Sequence, residues 1–213
     1  MQATRIIAIR HGETTWNVDT RLQGHLDIGL NDRGRWQASR AALALQDETL
    51  DAIYTSDLSR ARETAHAVAN SSGQTVCTTP GLRERHFGML QGQTHAEIEA
   101  NWPAEARRWR ERDTDWTPEG GESLVVFHAR VVQTVAELAA QHLGQQILLV
   151  AHGGVLDMMY RAATGQNLQA SRSWNLGNAT VNRLLWTPDA LTVVGWADSR
   201  HLDEAEMLDE TST

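Results

Sequence analysis

Two short apolar runs, each followed by a histidine, constrain the fold of this chain most. Residues 6–9 lead into Arg10 and His11, and residues 146–151 lead into His152. Such runs are typical of strands buried inside a parallel sheet, whose ligands bind in the crevice beyond the carboxyl ends of the strands. A single strand of this type can end in polar residues without any function. Two in one chain predict a pocket in which His11 and His152 lie close together.

Length and composition favour a single α/β domain. The chain has 213 residues, and 41% of them are hydrophobic, which suits one domain with at most an insertion. No apolar run approaches the ~18 residues of a membrane span, and the N-terminus lacks a signal-peptide pattern, so we expect a cytoplasmic protein with no membrane partner. The net charge of -8 argues against nucleic acid as a partner. The single cysteine, Cys77, excludes an internal disulfide and is expected to be a small buried hydrophobe.

The residue types present exclude several chemistries. All 19 basic residues are arginine, so a phosphate-binding P-loop lysine, a Schiff base and a lysine general base are impossible. The motifs typical of dinucleotide binding, serine hydrolases and zinc proteases are also missing from the sequence. An arginine beside a histidine suits an anion instead, because guanidinium presents a rigid fork of donors to phosphate while imidazole can attack or move a proton.

Two further arginine-rich segments extend the anion hypothesis. Residues 51–55 predict a second strand, and Ser56 or Asp57 is expected to cap a helix whose first turn carries Arg60. Glu84 lies between two arginines in a glycine-punctuated loop. That loop can be an exposed ion-pair cluster, or its carboxyl group can donate a proton beside a bound phosphate.

The remaining segments predict alternating helices and strands. Asn31 is expected to cap a helix that runs to about residue 47 with Leu43 among its apolar positions, and residues 75–79 predict a third strand. A long amphipathic helix is expected up to about residue 143, followed by the strand before His152. Residues 180–186 and 191–197 predict an antiparallel hairpin at the sheet edge, and the acidic tail from His201 is expected to be frayed.

Three tryptophans punctuate a polar helical segment, residues 94–116. Trp102, Trp109 and Trp116 are seven residues apart, which predicts that they share one helical face. A tryptophan stripe is usually core packing. The alternative is a wall of a pocket that contacts the substrate.

At this point the motifs resemble those of a known family, the histidine phosphatase (phosphoglycerate-mutase-like) superfamily. The similarity extends in order from about residue 5 to residue 186 and rests on Arg10-His11-Gly12, Asn17, the segments around Arg60 and Glu84, residues 120–123, and His152-Gly153-Gly154. The resemblance implies a single domain over residues 1–213 with a three-layer α/β/α architecture. Its mostly parallel central sheet would have helices on both faces, and a cap-like helical insertion would span about residues 92–120.

The resemblance also implies a mechanism. His11 would take the phosphoryl group as nucleophile, and Glu84 would protonate the leaving alcohol. The phosphate oxygens would be held by Arg10, Arg60 and His152. Further residues that match the lining of the family's phosphate pocket are Asn17, Gln23, Gly24 and Gly153. Because arginines supply the positive charge, no metal or other cofactor is expected.

Within the family, the sequence favours a phosphatase of small phosphomonoesters over a mutase. Family mutases resemble one another at three positions that hold His95, Arg110 followed by Glu111, and Phe87 in this chain. These departures weaken the grip that a mutase needs on a carboxylate. A mutase is the first alternative, and a non-catalytic protein that binds a phosphorylated ligand is the second. The sequence is compatible with a homodimer.

Overall fold

Six strands form one mixed sheet in the computed structural model, which describes residues 2–203. Across the sheet the strands follow the order β3 (Val76–Thr78), β2 (Ala52–Thr55), β4 (Gln146–Ala151), β1 (Thr4–Arg10), β5 (Val181–Thr187) and β6 (Ala190–Asp198). The pairs β3–β2, β2–β4 and β4–β1 are parallel, whereas β5 and β6 are antiparallel additions. The predicted mostly parallel centre and the predicted hairpin at one edge are therefore confirmed.

Helices cover both faces of the sheet because its central strands are apolar on both sides. Ile6 and Ala8 of β1 pack with the helices α6 (Leu124–Ala140) and α7 (Gly153–Thr164), and Ile7 and Ile9 pack with α2 (Asp32–Ala44) and α3 (Ser59–Ser72). Full burial of one such isoleucine contributes about 1.5–3 kcal/mol of transfer free energy. The expected three-layer α/β/α arrangement is confirmed.

The carboxyl ends of β1 and β4 meet at the centre of the sheet. Arg10 is in register with Ala151, and the backbone N–H of His11 donates to the carbonyl oxygen of Ala151 at 2.9 Å. The chain leaves these two strands in different directions, because β1 is followed by a loop and β4 by α7. This junction is the crevice in which ligands of open α/β sheets bind.

Several predicted helix ends differ from those in the structure. Asn31 caps α2 as expected, but α2 ends at Ala44 and Leu43 is 53% exposed. The predicted cap of α3 is wrong, because its N-cap is Leu58, which makes no side-chain cap hydrogen bond. Asp57 instead accepts two hydrogen bonds from Arg83, at 2.7 and 2.5 Å, which removes its carboxylate from the helix terminus.

Two short helices contribute to a separate apolar cluster. They are α4 (His95–Asn101) and α5 (Pro103–Arg110), and the cluster includes Trp102, Trp109 and Trp116. The prediction of one helical face is wrong for Trp116, because α5 ends at Arg110. Trp116 is nevertheless 6% exposed, so it is a core residue of this cluster.

Two predictions at the periphery are also wrong. Cys77 is exposed, because it lies on the short strand β3 at the edge of the sheet. The tail is ordered at His201, whose Nε2 bonds the carbonyl oxygen of Ala179 at 3.0 Å and whose own carbonyl oxygen accepts from Arg40. Residues 204–213 of the predicted frayed tail lie outside the described residues.

Candidate active site

The structure brings His11 and His152 together at the ends of β1 and β4. Their ring centroids are 5.2 Å apart with an interplanar angle of 60°. The exposed fractions of the two residues are 3% and 0%. The two imidazoles therefore form one buried pair, in which each ring faces the same small volume.

Hydrogen bonding determines which nitrogen of His11 is free. Its Nδ1 lies 2.7 Å from the carbonyl oxygen of Gly12, and a carbonyl oxygen only accepts, so Nδ1 carries the proton. Burial, together with the charges of Arg60 and Arg10, holds the pKa of His11 well below its usual value of 6.5. The ring is therefore neutral near pH 7, and the lone pair of Nε2 is available for attack.

His152 lacks hydrogen-bond partners within residues 2–203 on both ring nitrogens. It is the N-cap residue of α7, where free amides and the helix dipole favour an anion. Burial and the nearby charge of Arg60 hold the pKa of His152 well below 6.5. A buried polar ring without partners points to a ligand that supplies them.

Two guanidinium groups lie near the histidine pair, that of Arg60 fully buried and that of Arg10 partly buried. Arg10 donates through Nη1 to the carbonyl oxygen of Leu176 at 2.6 Å, and Arg60 donates to the carbonyl oxygens of Leu26 and Gly24 at 2.9 and 2.8 Å. In both arginines Nε has no partner in the described part of the chain. Burial lowers the pKa of Arg60 to about 10, so the group is still charged at neutral pH. These backbone contacts fix two positive charges before any anion binds.

Glu84 is held by two backbone N–H groups. The amide of Arg85 donates to its Oε1 at 2.8 Å, and the amide of Gly154 donates to its Oε2 at 2.9 Å. A Cβ atom at position 154 would lie only 2.1 Å from Oε1 of Glu84, so any side chain there would displace this carboxyl group. Neither flanking arginine pairs with Glu84, because Arg83 binds Asp57 and Arg85 donates to the carbonyl oxygen of Glu122.

The glycine at position 154 gives a direct test of this geometry. We expect Gly154→Ala to fold normally, because the end of the Glu84 side chain can move away, but to lose activity. A misplacement of about 1 Å at a reacting group costs on the order of 10²-fold in rate. The matched control is Gly195→Ala, since a Cβ atom at Gly195 meets nothing within 4 Å. Full activity of Gly154→Ala would mean that the position of Glu84 does not matter.

The loop after β1 contains the other predicted pocket residues and a short helix, α1 (Thr15–Val18), that was not predicted. The side-chain oxygen of Asn17 accepts from the amide of Thr14 at 3.0 Å. Gln23 is 7% exposed and its Oε1 lacks a partner within residues 2–203. Gly24 has a φ of +53° and uses its carbonyl oxygen to hold Arg60.

Gly153, the last predicted pocket residue, lies beside Arg10. A Cβ atom at Gly153 would be 3.4 Å from Nε of that arginine. Gln23 therefore has a side-chain oxygen without a partner in the described residues, and Gly153 has space beside Arg10. Asn17 and Gly24 instead make hydrogen bonds within the protein.

Sequence reasoning missed the residues that support the site from a distance. Asn178 donates to the carbonyl oxygen of His11 at 2.9 Å, and Thr64 accepts from the amide of Gly12 at 3.0 Å. His25 and Arg130 both contact the carbonyl oxygen of Glu84, at 2.9 and 3.2 Å. None of these contacts has a local motif.

A cavity of about 550 Å³ opens from the Glu84 side of the histidine pair. Glu84 and Gly154 lie at its wall, and so do Phe87 and Trp109, whose ring centroids are 4.9 Å apart. Of the three tryptophans, only Trp109 is at this cavity, so the stripe is part core and part wall.

Within residues 2–203 no helix is long and apolar enough to cross a membrane, and no group of three or more His, Cys, Asp or Glu could hold a metal ion.

Comparison with known proteins identifies the family of this site. The sequence profile described as histidine phosphatase superfamily (branch 1) matches residues 6–199. The protein belongs to this superfamily. The prediction of a histidine phosphatase is thereby confirmed.

Relatives of known sequence support the same conclusion over most of the chain. Phosphoglycerate mutase-like protein 4 of Arabidopsis thaliana is 38% identical over 95% of this chain and 89% of its own length. Glucosyl-3-phosphoglycerate phosphatase of Mycolicibacterium vanbaalenii is 40% identical over 78% of this chain and 76% of its own. Metal-independent phosphoserine phosphatase of Arabidopsis thaliana is 35% identical over 97% of this chain and 87% of its own.

Two solved structures have the same fold as this chain. The mycobacterial glucosyl-3-phosphoglycerate phosphatase superposes with a TM-score of 0.83 at 36% identity, over 93% of this chain and all of that one. YhfR of Bacillus stearothermophilus superposes with a TM-score of 0.89 at 31% identity, over 94% of this chain and all of that one.

The buried histidines of this phosphatase predict a pH dependence of stability. Their folded pKa values lie below the unfolded value near 6.5, so below that pH the unfolded state binds more protons and the free energy of unfolding falls. Each histidine adds a slope of up to about 1.4 kcal/mol per pH unit. Denaturant unfolding at pH 6.5 and 5.5 should show a smaller slope in His152→Asn than in the wild type. The exposed His66→Asn is the control, and equal slopes in wild type and His152→Asn would contradict the account.

Proposed function

We propose that the protein hydrolyses small phosphomonoesters through a phosphohistidine formed on His11. The observation that carries this proposal is the hydrogen bond from Nδ1 of His11 to the carbonyl oxygen of Gly12, which leaves Nε2 unprotonated in a buried ring beside His152. A neutral imidazole with a fixed tautomer is an activated nucleophile. His152 lies beside this ring, and the charges of Arg60 and Arg10 act on it, which supports the roles proposed for these three residues.

The first chemical step transfers the phosphoryl group to the enzyme. The lone pair of Nε2 on His11 forms the N–P bond while the ester O–P bond breaks. The leaving oxygen takes its proton from Glu84. Arg10, Arg60 and His152 stabilise the charge on the transferring phosphoryl oxygens, the kind of electrostatic stabilisation that usually dominates phosphoryl transfer.

The second step returns the enzyme to its starting state. Glu84 accepts a proton from water, and the water oxygen forms a bond to phosphorus as the N–P bond breaks. Inorganic phosphate leaves, and His11 is again neutral at Nε2. The two backbone amides that hold Glu84 keep its carboxyl group in place for both proton transfers.

Hydrolysis is expected to need no divalent metal. Arg60 is buried and Arg10 is partly buried, so these two cations supply the positive charge that a metal ion supplies in other phosphatases. Activity on 4-nitrophenyl phosphate should be unchanged after exhaustive dialysis against a chelator. A loss of activity that magnesium or zinc restores would contradict this expectation.

The phosphatase proposal is favoured over the mutase alternative by the cavity wall. A mutase must retain a small acid until it binds again in reverse, and the cavity of about 550 Å³ is spacious for a three-carbon acid. At the positions that distinguish mutases, Arg110 pairs with Glu99 and Glu111 pairs with Arg107. A coupled assay with 3-phosphoglycerate should therefore detect phosphate release and no isomerisation. Isomerisation as the faster reaction would favour the mutase.

The relatives suggest the range of substrates to test. Their names include phosphatases of glucosyl-3-phosphoglycerate and of phosphoserine, which share a carboxylate in the leaving alcohol. We propose a substrate of this small, phosphorylated kind.

We also propose that the chain is a single domain with a cap over about residues 92–120. Its location would be cytoplasmic, and it would have no nucleic-acid partner. We propose a homodimer, and light scattering of the purified chain would test this oligomeric state.

A further inference from the structure

A second site adjoins the phosphate pocket on the side of the proton donor. Glu84 and Gly154 belong to both, so an alcohol that takes its proton from Glu84 leaves into the cavity of about 550 Å³. Pockets of about 300–1,000 Å³ bury ligands of drug size. The cavity therefore accommodates a leaving group larger than a three-carbon chain.

One wall of this cavity has a buried cation with an unused donor. Arg85 is 5% exposed, donates through Nε to the carbonyl oxygen of Glu122 at 2.8 Å, and lies over the rings of Trp109 and Trp116 at 5.5 and 5.9 Å. Its Nη2 has no partner in the described part of the chain. A buried guanidinium N–H without a partner is costly, and a carboxylate oxygen is the acceptor that suits it best.

Another wall has a buried carboxylate with one oxygen that accepts no hydrogen bond from the described residues. Asp157 is 3% exposed, and its Oδ2 accepts from Arg112 at 3.0 Å and from Arg161 at 3.1 Å. Its Oδ1 lacks a partner among residues 2–203. Two arginines fix this carboxylate, so its remaining oxygen offers a rigid acceptor to a ligand hydroxyl.

The charges around the cavity select an acidic ligand. Its two carboxylates are Glu84 and Asp157. The four arginines that line it are Arg85, Arg110, Arg112 and Arg172. The excess of positive charge favours an anion. Trp109 and Phe87 add apolar ring surface, against which the carbon skeleton of a sugar can pack.

We propose that this cavity is the subsite for a leaving alcohol that carries both a carboxylate and sugar-like hydroxyl groups. Arg85 binds the carboxylate through Nη2, and Asp157 accepts a hydrogen bond from a hydroxyl through Oδ1. The proposal rests on the proposed function, because the phosphate pocket must hold the ester end of the same substrate. Neither Arg85 nor Asp157 belongs to the phosphate-transfer machinery.

Four esters separate the two contacts. Glucosyl-3-phosphoglycerate has the carboxylate and the sugar, 3-phosphoglycerate has the carboxylate, glucose 6-phosphate has the sugar hydroxyls, and 4-nitrophenyl phosphate has neither. The wild type should have its highest kcat/KM on the first. Loss of a charged hydrogen bond weakens binding by about tenfold to a hundredfold. Arg85→Gln should therefore lower kcat/KM by that factor on the two esters that carry a carboxylate, because KM rises. It should spare the other two esters, whereas Asp157→Asn should affect the two sugar esters.

Control variants distinguish a binding role from a structural one. Arg110→Gln removes a cation from the same cavity, but Arg110 is exposed and paired with Glu99, so its effect should be small. Arg85→Lys keeps the positive charge but lacks the forked donors of guanidinium. It should lower kcat/KM by a smaller factor on the same two esters that carry a carboxylate. If Arg85→Gln does not fold, Arg85→Lys provides the test. A variant of Arg85 that loses kcat/KM by the same factor on all four esters would overturn the proposal. A wild type that does not prefer the esters with a carboxylate would also overturn it.

A binding measurement separates this proposal from the proposed function. Glucosylglycerate, the leaving alcohol without phosphate, should bind the wild type in calorimetry and bind Arg85→Gln more weakly. Binding without hydrolysis of any ester would support the subsite and contradict the phosphatase. Hydrolysis of 4-nitrophenyl phosphate without binding of glucosylglycerate would support the phosphatase and overturn the subsite.

Discussion

His11→Ala is expected to lower kcat/KM for every phosphomonoester by on the order of 10⁴–10⁶-fold, because the proposed reaction has no path that bypasses the nucleophile. The buried imidazole is replaced by a methyl group beside Arg10, Arg60 and His152, so a phosphate ion can still bind. Affinity for inorganic phosphate should therefore survive in the variant. Steady-state kinetics and calorimetry measure the two quantities on the same preparation.

A histidine on the surface provides the matched control. His66 is exposed on α3, and His66→Ala should retain wild-type kinetics. The melting temperatures of both variants show whether the fold is intact. Substantial turnover by a folded His11→Ala would mean that water attacks the phosphate directly and that no phosphohistidine is required.

Glu84→Gln is expected to lower kcat by about 10²–10⁴-fold on alkyl phosphates, the usual contribution of a general acid. An amide has nearly the same shape as the carboxyl group but does not transfer the proton that an alkoxide needs to leave. With 4-nitrophenyl phosphate the loss should be smaller in the first step, because 4-nitrophenolate leaves without protonation. Burst kinetics with this ester should therefore show phenolate release ahead of slow breakdown of the phosphoenzyme.

The matched control for this substitution is Glu119→Gln, which changes an exposed carboxylate in the turn before α6. It should leave both substrates unaffected. Equal losses of Glu84→Gln on the alkyl ester and on the first turnover of the nitrophenyl ester would contradict the proton-donor role. They would indicate instead that Glu84 only shapes the pocket.

The central part of the site could be predicted because its signals are local. The runs before His11 and His152 are strands in their own right, and parallel strands bring their carboxyl ends to one edge, so the pairing of the two imidazoles followed from topology. Arg60 was predicted by its place in the first turn of a helix. Its two hydrogen bonds to backbone carbonyls could not be foreseen, because they depend on how the loop after β1 folds back.

Contacts between distant segments explain most of what could not be predicted. Asn178 reaches the carbonyl oxygen of His11 across 167 positions of the sequence, and Arg130 reaches that of Glu84 across 46. Neither residue type is unusual at its position, so no pattern marked it. Asp57 was predicted to cap α3 on its residue type alone, whereas the competing bond to Arg83 comes from another loop.

Exposure was the least predictable property, because it depends on which neighbour covers a residue. Cys77 has an apolar character but lies on the edge strand β3, and Leu43 lies on the outer side of α2 near its end. Trp116 is buried although α5 ends six residues before it, because it packs in one apolar cluster with residues of α4 and α5. In all three cases tertiary packing, and not local periodicity, decides the outcome.

The most direct test of the account is the identity of the residue that carries the phosphoryl group during turnover. The wild type should be mixed with substrate, quenched in alkali within the first turnover, digested and analysed by mass spectrometry. The account predicts one added phosphoryl group on His11, stable in alkali, lost in acid, and missing from His11→Ala. Turnover without any phosphorylated peptide, or with the phosphoryl group on a residue other than His11, would contradict it.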